Sequence, residues 1–406
     1  MKNLFFKHKQ TIANLYFEKV SNWLTECPDI QDISTDKLSL HLTETKDSSD
    51  ISVCQPTKAK IIVANAGKKT TQISFEKNMK SSSRFSFRSE PSTLKLRPNE
   101  AFEFTLEFTP LCTCKVSEAI FLVTTTKKLV QKQPVKVEFQ SKKSLSVDYQ
   151  DIDEKEFLGI NEFKDFVWRG KFRGCDVVVD NRSDESKVLF EREIGILKTL
   201  NYQYINYFVG ACHIPHHECI LTEDNGIGTL KDVIQLHAMP ELSVRVKLCL
   251  DIAKGLNFIH KNNVIHRDIK PENINVISLL DKMEVNAKIS GFSKARTYQA
   301  FKSCDNFSEE VGTPLYMSPE LANHKNYSTA TDIFSFGITM VQILTWDLSV
   351  NANGSRKLLK EEQFENSFVP SQLTRVILGC LKKDQKQRVT IDTILLSLRE
   401  NNHTIL

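Results

Sequence analysis

The chain of 406 residues has no run of about 18 consecutive apolar residues, the length a helix needs to cross a bilayer, so no transmembrane segment is expected. It also lacks an excess of either charge. The formal net charge is only +4, and Lys and Arg are scattered rather than blocked. That argues against nucleic acid or an anionic membrane as partner, since both select for concentrated basic surface. The opening residues, MKNLFFKHKQ, offer only Leu4, Phe5 and Phe6 as an apolar core, too short for a secretory signal. A cytoplasmic location is expected, with the ten cysteines reduced. The cysteines also lack the paired two-residue spacing of a zinc finger. Cys112 and Cys114 would share a strand face, and ACHIPHHEC reads as a polar hairpin tip between two strands. No internal repeat or low-complexity tract is present. A composition of 40% hydrophobic and 26% charged residues suits a globular protein, and the length allows two or three domains.

Residues 1–34 contain Ile12, Leu15, Tyr16, Val20, Trp23 and Leu24 at intervals near a helical turn, which predicts a short amphipathic helical segment. Residues 35–145 change period. In AFEFTLEF, Phe102, Phe104, Leu106 and Phe108 alternate with Glu103, Thr105 and Glu107, so one strand face is apolar and the other wet. About seven such runs, punctuated by Gly, Asn, Ser and Pro, predict an antiparallel β-sandwich. The stretch LRPNEAFEFTLEFTPLCTC resembles the immunoglobulin-like domains related to the major sperm protein, which bind or position partners. Residues 143–156 are polar and read as a linker. Residues 151–405 begin strand-like and turn helical after about residue 240. Val246, Leu250, Ala253, Leu256 and Ile259 fall on one helical face.

In this last segment His266-Arg267-Asp268-Ile269-Lys270-Pro271-Glu272-Asn273 resembles the catalytic loop of the protein kinases, most closely the tyrosine-kinase-like (TKL) group of Ser/Thr kinases. The fold the resemblance implies is α+β: a two-lobed protein-kinase-like domain, here preceded by an all-β immunoglobulin-like sandwich. It also implies ATP and Mg²⁺ as ligands. Asp268 would accept the substrate hydroxyl proton, Lys270 would neutralise the γ-phosphate, and Asn273 would hold Mg²⁺. Thr222 would be the gatekeeper and Glu223 the first hinge residue. Asp332 would tie down the catalytic loop, Arg388 would pair with Glu320, and Leu197, Phe208, His266 and Phe292 would stack between the lobes.

The departures fall where phosphate is handled. The phosphate-covering loop, LGINEFKDFVWRG, keeps Gly159 and Val167 but has Asn161 and Lys164 where the second and third glycines belong. Without glycine the backbone approaches phosphate poorly. The strand that should read Val-Ala-Val-Lys reads Val177-Val178-Val179-Asp180, with Val178 replacing the alanine that packs on adenine. Asp180 replaces the lysine that pairs with the helical glutamate, which would be Glu193. Two carboxylates about 4 Å apart repel by a few kcal/mol at an effective dielectric of about 20. Gly291-Phe292-Ser293 stands where Asp-Phe-Gly is expected, so the principal Mg²⁺ ligand is missing. Lys164 could supply the lost cation, as a loop lysine does in the with-no-lysine kinases, but a solvated loop lysine is the ordinary alternative.

These residues predict a pseudokinase: a kinase-domain signalling protein with weak or no phosphotransfer and a scaffold or regulatory role, partnered by other signalling proteins. ATP would bind weakly or not at all, and Mg²⁺ only through Asn273 beside a nucleotide. The alternative is an active atypical Ser/Thr kinase that moves the ATP γ-phosphate to protein Ser or Thr. A docking scaffold phosphorylated in trans at Thr297, Tyr298, Ser303 or Ser308 is compatible with the first reading.

Overall fold

The computed structural model describes residues 24–43, 50–77, 83–126, 129–161, 164–183, 187–224, 227–298, 313–323, 328–349 and 369–405. Residues 1–23 of the predicted N-terminal helical segment lie outside these residues, as do Ser303 and Ser308, and residues 24–34 hold strand and turn rather than helix. The chain divides into two compact units, Met1–Asp153 with Gly210–Cys219, and Glu154–Val209 with Ile220–Leu406.

The first unit is built from strands. β1 (Thr25–Glu26), β2 (Ile33–Thr35), β5 (Thr57–Asn65), β9 (Glu100–Pro110) and β7 (Phe85–Glu90) lie in that order in one sheet. β3 (Ser39–His41), β11 (Val130–Ser141), β10 (Lys115–Thr125), β6 (Thr71–Lys77) and β8 (Thr93–Leu96) form a second, with β4 (Asp50–Ile51) also on β11. The strand region therefore starts at residue 25 rather than 35. Strands this short carry little alternation to read. The second sheet is also not wholly antiparallel, because β3 and β4 pair parallel with β11. The alternation read in β9 holds: Phe104, Leu106 and Phe108 are buried, while Phe102 is only partly covered. They share one core with Ile73 and Phe75 of β6, Ile120 and Leu122 of β10 and Val135 and Val137 of β11. Phe75 and Phe104 meet edge to face with centroids 5.3 Å apart, as ring quadrupoles favour.

Within this unit buried Asn65 holds a tight turn together. Its amide donates to the carbonyls of Lys69 (2.8 Å) and Leu96 (3.0 Å), and its Oδ1 accepts from Gly67 N–H (3.0 Å). Asn65→Ala strands these groups out of water and is expected to cost about 1–3 kcal/mol. An unchanged urea midpoint would refute this. The supposed linker is also not free chain. Val147 N–H donates to Ala211 O and Ala211 N–H to Leu145 O, and buried Asp148 pairs with Arg84 at 2.5 Å. A Cβ on Gly210 would lie 2.6 Å from Leu145 O, so only glycine allows that approach. Composition alone reads such a stretch as polar; its pairing is long-range.

The second unit contains β13 (Phe166–Phe172) and β14 (Cys175–Asn181), with most of β12 (Ile152–Ile160) and of β16 (Cys219–Glu223) and the start of β15 (Phe208–Cys212). A helix, Lys187–Leu197, follows β14. The rest is mostly helical. In Leu242–Lys261 the five predicted positions, Val246 to Ile259, are all buried. Helix Ala330–Thr345 is buried on nearly every side, as an apolar stretch without a polar face must be. Among the described residues no helix is long and apolar enough to cross a membrane.

Candidate nucleotide and catalytic cleft

The catalytic-loop residues lie between β17 (Val264–Ile265) and β18 (Ile274–Val276), with Pro271–Asn273 forming one 3-10 turn. Such a loop has no regular ladder, so its N–H groups need other acceptors. Asp332, fully buried, supplies them. Its Oδ2 accepts from His266 N–H (2.9 Å) and its Oδ1 from Arg267 N–H (2.8 Å), with His260 Nε2 2.8 Å away. Burial alone would raise the Asp332 pKa, but the bond and charge of His260 outweigh it and hold the carboxyl below its ordinary value. The same anchor keeps Arg267 at φ 67°, a left-handed conformation that side chains rarely adopt. Buried His266 donates from Nε2 to Ser290 O (2.9 Å), and burial lowers its pKa, favouring the neutral ring. The predicted stack is in place to this extent: Leu197, Phe208, His266 and Phe292 are buried, and the last two rings are 4.8 Å apart.

Asp268 is crowded with donors. Its Oδ2 is 3.0 Å from Lys270 Nζ, 3.1 Å from Lys294 Nζ and 3.0 Å from Asn273 Nδ2. Its Oδ1 accepts from Thr313 Oγ1 at 3.3 Å, and Lys270 in turn reaches Thr313 at 2.7 Å. Burial would raise the Asp268 pKa; Lys270 and Lys294 reverse that and hold it below the usual value. Lys294 and Thr313 were not legible in the motif. Both lie in irregular segments whose folding onto Asp268 carries no periodic signal.

Gly291 adopts φ 75°, and a Cβ placed there would fall 2.4 Å from Asn273 Oδ1. Asn273 thus occupies the space an aspartate side chain would need, while its amide is turned to Asp268. The Mg²⁺ implied by the resemblance is a poor fit to these residues. Hard divalent cations want several oxygen donors in near-octahedral order, and one of the two expected ligands is absent. Among the described residues no group of three or more His, Cys, Asp or Glu side chains is arranged to hold a metal.

On the opposite wall the expected repulsion between Asp180 and Glu193 is overturned. Side chains two apart on a strand share a face. Val178, Asp180 and Arg182 all line the cleft, while Val177 and Val179 are buried behind them. Arg182, itself buried, sits between the two carboxylates. It forms a close ion pair with Asp180 and donates from Nη2 to Glu193 Oε2 at 3.0 Å. Burial would lower its pKa, but Asp180 and Glu193 together raise it. An ion pair to the helical Glu193 is therefore kept, from a position two residues later and one past the end of β14. The period of the strand could have revealed it.

Asn161 donates to Asp180 Oδ1 (2.7 Å) and Asn181 O (3.2 Å), pinning the loop to β14. Lys164 has φ 64°, is exposed, and is not among the residues lining the cleft. The structure does not bring it to Asp180 or Glu193. Gly159, at φ 145°, has open space around it. The cleft has a volume of about 660 Å³ and is lined also by Gly159, Val167, Leu197, Thr222, Glu223 and Phe292, within the size range of small-molecule sites. The Glu223 side chain is engaged with Lys288 Nζ (2.6 Å) and Tyr207 N–H (2.7 Å), and its own N–H donates to Tyr207 O (3.0 Å).

Further from the cleft, Arg388 and Glu320 meet as expected through two parallel bonds, Nη1 to Oε1 at 2.6 Å and Nη2 to Oε2 at 2.7 Å.

Comparison with known proteins agrees with this geometry. The protein kinase domain model matches residues 176–397, more than half of the chain. A protein of Acanthamoeba polyphaga mimivirus, named as a candidate serine/threonine-protein kinase/receptor, is 34% identical over 266 residues, covering 63% of this chain and 15% of that protein. The dual specificity protein kinase splA of Dictyostelium discoideum is 27% identical over 294 residues, covering 66% and 12% respectively. Serine/threonine-protein kinase STY17 of Arabidopsis thaliana is 33% identical over 160 residues, covering 39% and 27%. The chain thus spans between 12% and 27% of the length of these three relatives. A match of this extent, over the segment that builds the cleft, establishes that the chain belongs to the protein kinase family.

Proposed function

We propose that the chain is a pseudokinase of the tyrosine-kinase-like type: a cytoplasmic signalling protein with weak or no phosphotransfer, acting as scaffold or regulator for other signalling proteins. In this reading residues 151–405 are the kinase-like domain, and residues 35–145 are an immunoglobulin-like module that positions partners. One observation carries it. Gly291 stands where the metal-holding carboxylate belongs, and Asn273 fills the space a side chain there would take. Phosphoryl transfer depends on charge neutralisation and positioning far more than on covalent chemistry by the protein. The bonds that saturate Asp268 support the same reading, because a base already accepting from four side chains is poorly placed to accept from a hydroxyl.

The test is phosphotransfer from labelled ATP to the chain itself and to generic protein substrates, with Mg²⁺ and with Mn²⁺. No turnover above an Asp268→Asn control is expected. Turnover that requires metal and is lost in that control rejects the proposal.

The second reading, an active atypical Ser/Thr kinase, is favoured by the bond from Arg182 to Glu193. Its cation would then be Arg182 rather than the exposed Lys164. It requires that Arg182→Ala abolish turnover while Lys164→Ala leaves it.

A further inference from the structure

Cys112 and Cys114 flank Thr113 at the bend before β10, inside the first unit. Neither is bridged; Cys112 is buried and Cys114 is partly open to solvent. Ser141 of β11 fastens the bend. Its hydroxyl donates to Cys112 O (3.1 Å) and accepts from Cys114 N–H (2.8 Å), and Ser141 N–H donates to Cys114 O (2.9 Å). Thr113 N–H is held by Ser146 O (3.0 Å). Residues two apart on an extended chain share a face and lie about 6.6 Å apart, within the range of about 4.4–6.8 Å that a disulfide spans between Cα atoms. The two thiols also meet: Cys112 S–H bonds to the Cys114 sulfur.

That bond is the largest influence on Cys114 and lowers its pKa; the Ser141 hydroxyl and the Arg84 guanidinium act the same way, against burial. The same bond, with burial, raises the pKa of Cys112 and keeps it a thiol. Burial likewise raises those of Cys27, Cys249 and Cys380. A thiolate that is stabilised, reachable from solvent and set beside a second thiol reacts with a peroxide and then closes on its neighbour.

We propose that Cys114 is a peroxide-reactive thiol and Cys112 its resolving partner, so that the strand-built first unit carries a reversible oxidation site. The Cys114 thiolate attacks one oxygen of hydrogen peroxide. The O–O bond breaks, an S–O bond forms, and the departing hydroxide takes a proton from solvent to become water. The Cys112 sulfur then attacks the Cys114 sulfenic acid. The S–S bond forms, the S–O bond breaks, and the hydroxyl leaves with the Cys112 proton as a second water. Two thiols are oxidised to one disulfide and one peroxide is reduced. No residue of the kinase cleft takes part, so the site stands or falls apart from the pseudokinase reading.

The test treats the unaltered full chain with one equivalent of hydrogen peroxide under native conditions, then alkylates it after unfolding, digests it and reads the peptides by mass spectrometry. The peptide holding both cysteines should be two hydrogens lighter and refuse alkylation, and dithiothreitol should reverse this. Cys54 and Cys175 are more exposed, yet they should react more slowly by about threefold or more. Cys112→Ala should leave Cys114 as a sulfenic acid that dimedone captures, and Cys114→Ser should leave Cys112 unmodified. Two thiols that only pack would give the opposite result: Cys54 or Cys175 oxidised first, with Cys112 and Cys114 both alkylated. That result overturns the proposal. So does a bridge from either cysteine to Cys212, a buried thiol near Cys112. The unaltered chain decides even if a variant fails to fold.

Discussion

Arg388→Ala is expected to destabilise the helical part of the second unit by about 3–5 kcal/mol, the usual cost of removing one partner from a buried ion pair. The pair is well sealed, with 1% of the Arg388 side chain and 7% of the Glu320 side chain exposed. Removing the guanidinium leaves a buried carboxylate with Thr331 Oγ1 as a remaining donor. It also strips acceptors at Ala330 O (2.8 Å) and Lys382 O (2.9 Å) of their donors. The double change Glu320→Met with Arg388→Leu should cost less than the single one, because no charge is left unpaired. A single variant within about 1 kcal/mol of the parent in urea unfolding would contradict the argument.

The pH dependence gives a second readout of the same pair. Burial would raise the Glu320 pKa, but the bond to Arg388 outweighs it and lowers the value below the ordinary 4.5. A depressed carboxyl binds fewer protons folded than unfolded, so its stabilisation is complete above about pH 4.5. It is lost as pH falls through the lowered folded value. Arg388→Ala should flatten that part of the acid limb.

Arg182→Met is expected to cost about 3 kcal/mol, toward the lower end for a buried pair because Asp180 is partly exposed and its repulsion is screened. The side chains of Arg182 and Glu193 are 3% and 7% exposed, against 30% for Asp180. The loss therefore falls mainly on Glu193. Adding Asp180→Lys to Arg182→Met restores a cation on the same strand face and should recover most of the stability. If Arg182 only fills volume, methionine will be tolerated and the second change will bring no recovery. Thermal melts of the four proteins in the cycle separate the cases, since residues in contact couple by about 0.5–3 kcal/mol.

Much of this protein was readable along the chain. The strands of the first unit followed from two-residue alternation, and the helix Leu242–Lys261 from its apolar face. Asp332 holds the catalytic-loop backbone and Arg388 meets Glu320, as their order implied. Arg182 was legible in principle from strand period, and the repulsion assigned to Asp180 and Glu193 ignored it. Lys164 is exposed, which agrees with a solvated loop lysine rather than a substitute cation.

The sequence by itself determined where the strand and helix periods run and which kinase positions carry other residues, because periodicity and motif order are local properties of the chain. It determined that Gly291 has no carboxylate and that Asp180 is no cation. Only the tertiary structure decided what stands in their place: Arg182 between Asp180 and Glu193, and Asn273 in the space beside Gly291. Those replacements come from residues outside the motif or turned from their motif role. Charge interacts through space at a few ångströms, and folding, not sequence order, sets which charges come that close.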